Sequence, residues 1–151
     1  HLVLRRQRQM CIRDSDWCMR HIAWILVGGP PELRDPHEAK RLAEQAVRLS
    51  RQRKRSSEPL CVGVLGMAQY RLAEYEAALE NLEKAVASES RNPRILLFKA
   101  MCHWRLGEHT QAAKLLPTAI EVIDYPDSIN LLGDPSFIRG EAEGMIRLDQ
   151  P

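Results

Sequence analysis

The sequence predicts an all-α protein: a short α-solenoid of about three helical hairpins with a C-terminal capping helix. Three observations lead there. The stretch Leu65 to Val86, LGMAQYRLAEYEAALENLEKAV, returns 34 residues further on. Met67 falls on Met101, Tyr70 on Trp104, Arg71 on Arg105, Leu72 on Leu106, Ala78 on Ala112, Leu82 on Leu116 and Ala85 on Ala119. A fixed period that keeps small and large apolar positions in phase marks stacked supersecondary units. The composition, 44% apolar with only 5% aromatic residues, is rich in Ala, Leu, Glu and Arg and favours helices over strands. Start and stop signals, finally, bracket most of the expected helices.

Taken in order, residues 1–15 (HLVLRRQRQMCIRDS) show neither a helical apolar face nor the long apolar run of a signal peptide. They lack a Met start, and their RRQRQMCIRDS portion resembles the translation of a sequencing-adaptor remnant. The expectation is a non-native or disordered extension on a truncated chain. Asp16 to Val27 is the first expected helix, stopped by Gly28-Gly29-Pro30-Pro31. Asp35-Pro36-His37-Glu38 starts the next one: Asp caps, Pro suits the first helical position, and Glu38 completes a capping-box pattern. Ala39, Leu42, Ala43, Ala46 and Val47 then form one apolar face. This helix matches the second half of the repeated stretch at an offset of 39, so a first hairpin spans 16–54.

The second hairpin, 57–88, pairs Pro59–Leu72 with Tyr75–Ala87, and Gly66 and Ala78 let its two helices approach closely. The third, 92–123, opens on the cap-plus-proline signal Asn92-Pro93, stops its first helix at Gly107 and resumes from His109 to Ile123. Lys99 replaces the Leu seen at Leu65. Pro117 removes one helical hydrogen bond, and a bend is expected there. A linker, 124–133, leads to a capping helix and tail, 134–151, whose apolar face would cover the end of the array.

The stretch Leu65-Gly66-x3-Tyr70, then Ala78, Leu82 and Ala85, resembles the tetratricopeptide repeat. So does its copy through Trp104, Gly107, Ala112, Leu116 and Ala119. The likeness covers about residues 17–123 and implies a right-handed superhelix. It further implies a non-catalytic interaction scaffold that binds a protein or peptide partner in the concave groove lined by the first helix of each hairpin. Carried over by position, the groove residues are Met67, Tyr70 and Arg71, their counterparts Leu97, Met101, Trp104 and Arg105, and Trp24 in the first repeat. Aromatic and Arg side chains suit interface hot spots, and Met adapts to irregular partners. The alternative for these side chains is packing between repeats. The positions at which some relatives grip a C-terminal carboxylate hold Trp24, Val64 and Phe98, so Arg20 and Arg94 alone are not expected to form that clamp. The cadence is also similar to repeat tails of large bacterial proteins. A second reading is therefore the C-terminal regulatory or substrate-recruiting segment of a larger enzyme, such as a bacterial Ser/Thr protein kinase.

No phosphate-binding loop, dinucleotide fingerprint, nucleophile elbow, zinc-protease or kinase catalytic motif occurs, so no catalytic residue and no cofactor is expected. Neighbouring helical residues point about 100° apart, so Cys102 and His103 are poor joint ligands, and no metal is expected. Without residues 1–15 the chain carries 18 basic and 19 acidic residues, which gives no general case for nucleic acid. The basic run Arg48 to Arg55 reads either as a nucleic-acid or phosphorylation patch beside Ser56 and Ser57, or as charge favoured at a helix C-terminus. The four scattered cysteines suggest a reducing, cytoplasmic setting, and no apolar run is long enough to span a membrane. Self-association through exposed solenoid ends is a further route to a partner.

Overall fold

A computed structural model describes residues 15–88, 92–124 and 135–147. Seven α-helices form, with no strand among the described residues: α1 (Asp16–Gly28), α2 (Pro36–Gln52), α3 (Glu58–Arg71), α4 (Tyr75–Ser88), α5 (Pro93–Arg105), α6 (His109–Asp124) and α7 (Ser136–Arg147). A single 3-10 turn, Pro31–Leu33, lies between α1 and α2, where the sequence suggested only a loop.

The helix starts follow from short polar side chains that accept orphan amide hydrogens. Ser15 Oγ accepts from the Cys18 amide at 3.3 Å, so the last residue of the stretch set aside as an extension caps α1. Asp35 Oδ1 accepts from the Glu38 amide at 3.1 Å, with Pro36 next to it. The capping box forms only by half. The Asp35 amide already donates to the Leu26 carbonyl at 3.0 Å, and Glu38 turns to Arg41 instead. Asn92 Oδ1 accepts from the amides of Arg94 and Ile95.

The chain leaves α2, α3 and α5 in one way. Lys54, Ala73 and Gly107 take positive φ of 48°, 61° and 82°. The next amide then reaches back across the last turn: Arg55 to Ser50, Glu74 to Gln69 and Glu108 to His103, at 2.8, 3.0 and 2.8 Å. This left-handed cap satisfies carbonyls that the helix end would orphan, and glycine adopts it without strain. Two of these three caps use a residue with a Cβ. Ala73→Gly should therefore stabilise the fold by about 1 kcal/mol, read as a higher midpoint of urea unfolding. An unchanged or lower midpoint would mean that the Ala73 geometry carries no strain.

Each helix packs on its neighbours in sequence, and the first helices also pack in a row, α1 on α3, α3 on α5 and α5 on α7. That is the layout of a one-dimensional stack. Small residues allow the close approach inside the middle hairpin. A Cβ added at Gly66 would lie 2.9 Å from Leu82 Cγ and 3.0 Å from the Ala78 carbonyl oxygen, so the α3–α4 contact is tight enough to need glycine. The repeat-related positions Ala78 and Ala112, Leu82 and Leu116, and Ala85 and Ala119 are all buried. Lys99 stays half-buried, with Nζ 3.7 Å from Glu83. Helix α6 runs on through Pro117, whose ring lies on the exposed side.

The basic run at the end of α2 is partly spent on ion pairs within the chain. Arg51 Nε meets Glu58 at 2.6 Å, and Arg55 lies 3.4 Å from the buried Asp16, which also accepts from the Ser57 hydroxyl at 2.7 Å. None of the helices is long and apolar enough to cross a membrane among the described residues.

Candidate interaction surface

The proposed groove residues lie on the first helices α1, α3 and α5. Their exposure differs sharply. Leu97 and Met101 are fully buried, and Met67 and Trp24 nearly so; these four pack the interior. The Arg94 guanidinium lies 4.2 Å from the centre of the Trp24 ring, and burial lowers its pKa to about 10. Arg20, also buried, lines a small cavity with Trp24, Val64, Met67, Arg94 and Ile95, and its Nε and Nη1 have no hydrogen-bond partner. That cavity has room for about one water. Val64 and Phe98 are buried as well, so polar groups of a carboxylate clamp have no place at these positions.

Tyr70, Arg71 and Arg105 come together at the C-terminal ends of α3 and α5. The Tyr70 ring meets Phe98 edge-on at 5.5 Å and Tyr75 at 5.6 Å. Burial pushes its phenol pKa upward, and the Arg105 guanidinium beside it opposes that shift. Arg71 is the hub of the site. Its Nε donates to the Val27 carbonyl at 3.0 Å, and its guanidinium lies 5.3 Å from the Phe98 ring centre. Nη1 and Nη2 donate to the two carboxylate oxygens of Glu141 at 2.5 and 2.8 Å. A two-bond fork of this kind is among the strongest ion-pair geometries available to a protein. Arg34 stands nearby, with Nε on the Gly29 carbonyl at 3.0 Å and Nη1 3.5 Å from Glu141. Arg105 is exposed, and Trp104 is half-buried, its ring edge-on to His109 at 4.0 Å.

Sequence reasoning missed Arg34, Glu141 and Met145. Glu141 and Met145 lie on α7, which was expected only to close the end of the array. The helix does pack on α5 and α6, but it meets α5 more than α6. In contrast, of the helices that precede them, α3 meets α2 more than α1, and α5 meets α4 more than α3. Helix α7 therefore leans toward the side of the first helices, and Met145 Sδ comes within 3.9 Å of the Tyr70 hydroxyl. The available signal was a carboxylate set beside the stripe Ile138, Ala142, Met145 and Ile146, an odd neighbour for a solvent-facing acid.

Cys61 and Cys102 are buried and suited to packing. Burial pushes the Cys61 and Cys102 thiols up to about 11 and about 12, far from the thiolate that reacts or binds metal. Among the described residues no group of three His, Cys, Asp or Glu side chains could hold a metal ion.

Residues 64–128 match the family model of the tetratricopeptide repeat. A TPR repeat-containing protein of Methanocaldococcus jannaschii is 30% identical over 94 residues, which is 62% of this chain and 17% of the relative. The chain thus spans about a sixth of the length of that relative. No solved structure is significantly similar. Helical hairpins that pack in sequence and this match across the second and third of them make the chain similar to the tetratricopeptide repeat family.

Proposed function

We propose that the chain is a non-catalytic scaffold that binds a protein or peptide partner on the face formed by α3, α5 and the adjoining helices. The observation that carries this reading is the meeting of Arg71 and Arg105 around the Tyr70 ring, with the half-buried Trp104 next in sequence to Arg105 on that face. Aromatic and arginine side chains are the residue types that dominate interface hot spots. The residues of the face differ in what they can offer. Trp104 and Arg105 have surface left to give, whereas Leu97, Met101, Met67 and Trp24 shape the floor from beneath.

The test uses Trp104→Ala together with Arg105→Ala, because neither side chain is fully buried. Affinity capture with the full chain should recover its partner at least about tenfold less well from the double variant, with helical circular dichroism unchanged. Equal recovery by the folded double variant would overturn the assignment of this face.

A further inference from the structure

Helix α7 is bound in the manner of a ligand. Its apolar side, Ile138, Ala142 and Ile146, is wholly buried, while its one acidic anchor, Glu141, reaches back to earlier repeats. The two arginines that receive Glu141 are held by the body of the solenoid and not by α7. Arg71 is fixed by the Val27 carbonyl and the Phe98 ring, and Arg34 by the Gly29 carbonyl. The seat thus stands preformed, with two positive charges for one carboxylate. A preorganised site of this kind loses little freedom when an occupant arrives.

The occupant is built less firmly than its seat. Helix α7 contains Gly140 and Gly144, and a Cβ added at either would meet nothing within 4 Å. Packing therefore does not require these glycines, yet each costs the helix about 1 kcal/mol relative to alanine. The repeats spend glycine otherwise, at the close approach of Gly66 and the positive φ of Gly107. In α7 the glycines only weaken a helix whose place is secured by the Glu141 fork, an exposed Arg139–Asp124 ion pair to the end of α6 and one apolar stripe.

We propose that this seat is a receptor for an amphipathic helix of the pattern Ile-x-x-Glu-Ala-x-x-Met-Ile. Helix α7 is its resident occupant, and a partner protein binds by presenting such a helix in its place. The inference rests on the interaction-scaffold reading above and gives that partner its chemistry: a helix with an apolar stripe and a carboxylate opposite Arg71 and Arg34. Because α7 is on the same chain, it competes at an effective concentration on the order of mM. An incoming helix must outbid that, so the site is quiet toward weak or mischarged segments.

The probe is a synthetic, fluorescein-labelled peptide of residues 135–147, titrated with the full chain and followed by fluorescence anisotropy. Ile138→Asp with Ile146→Asp should evict α7, and this variant should bind the probe at least about tenfold more tightly than the unaltered chain. Adding Arg71→Glu should abolish that binding, and a probe carrying Glu141→Arg should restore it. In the otherwise unaltered chain, Gly140→Ala with Gly144→Ala should tighten α7 in its seat and lower probe binding further. An evicted chain that keeps its helical circular dichroism but binds no probe would overturn the proposal. So would an evicted chain that unfolds, since α7 would then be an inseparable part of the stack. The two readings fail separately: equal partner recovery by the Trp104→Ala, Arg105→Ala variant sinks the scaffold reading, and a captured partner that the probe does not displace sinks this one.

Discussion

Replacing Phe98 by alanine should cost about 3–5 kcal/mol of folding stability, a large share of what a domain of this size possesses. The ring is fully buried and is one of the largest side chains in the interior. It also serves two neighbours. Tyr70 rests on it edge-on, and Arg71 spreads its guanidinium across it. Truncation therefore leaves a cavity and loosens the residues that receive Glu141. Urea unfolding followed by circular dichroism should show the midpoint falling sharply. Phe98→Leu, which keeps most of the volume, should recover much of the loss. A small effect from Phe98→Ala would mean that α3 and α5 close over the gap.

Arg71→Ala should be nearly as damaging, at about 3 kcal/mol. The side chain is almost covered, and its removal strands two groups at once. The Val27 carbonyl loses its donor, and the Glu141 carboxylate is left with Arg34 at 3.5 Å. Losing one member of a sheltered, hydrogen-bonded pair costs more than the pair itself contributes, because the remaining charge keeps its desolvation penalty. A double-mutant cycle with Glu141→Ala measures the distinction. The double variant should be less destabilised than the sum of the two single variants. Arg71→Lys should not rescue, since an ammonium cannot serve a carbonyl and both carboxylate oxygens from one planar fork. Strict additivity in the cycle would mean that the two side chains act independently.

The architecture was legible because it repeats. Leu82 and Leu116, Ala78 and Ala112, and Ala85 and Ala119 occupy equivalent buried places, and the alignment of Ala73 with Gly107 anticipates a shared backbone conformation. Periodicity also located the first helices that carry the proposed groove residues. It could not say how deep each groove residue lies. Tyr70 and Trp104 are equivalent by position, yet one is buried and the other half-buried. The difference comes from their neighbours: Tyr70 has Phe98 and Met145 against it, and Trp104 has only the next turn's His109 as a ring neighbour. The place of α7 was equally beyond reach. An apolar stripe says that a helix buries one face, and it is silent about which partner supplies the other.

The three bonds of Arg71 have a bearing on how the molecule comes apart. A stack in which every layer meets only the next is free to fray from either end, one hairpin after another. Arg71 stands in the middle layer and holds the end of α1 through the Val27 carbonyl and the last helix through Glu141. Arg34 adds a direct tie from the α1–α2 connection to the same carboxylate. First and last helices are thereby fastened to one side chain, and opening at one end releases a hold on the other. In amide exchange, release of α7 should therefore also speed opening at the end of α1, while the hairpins between them stay protected.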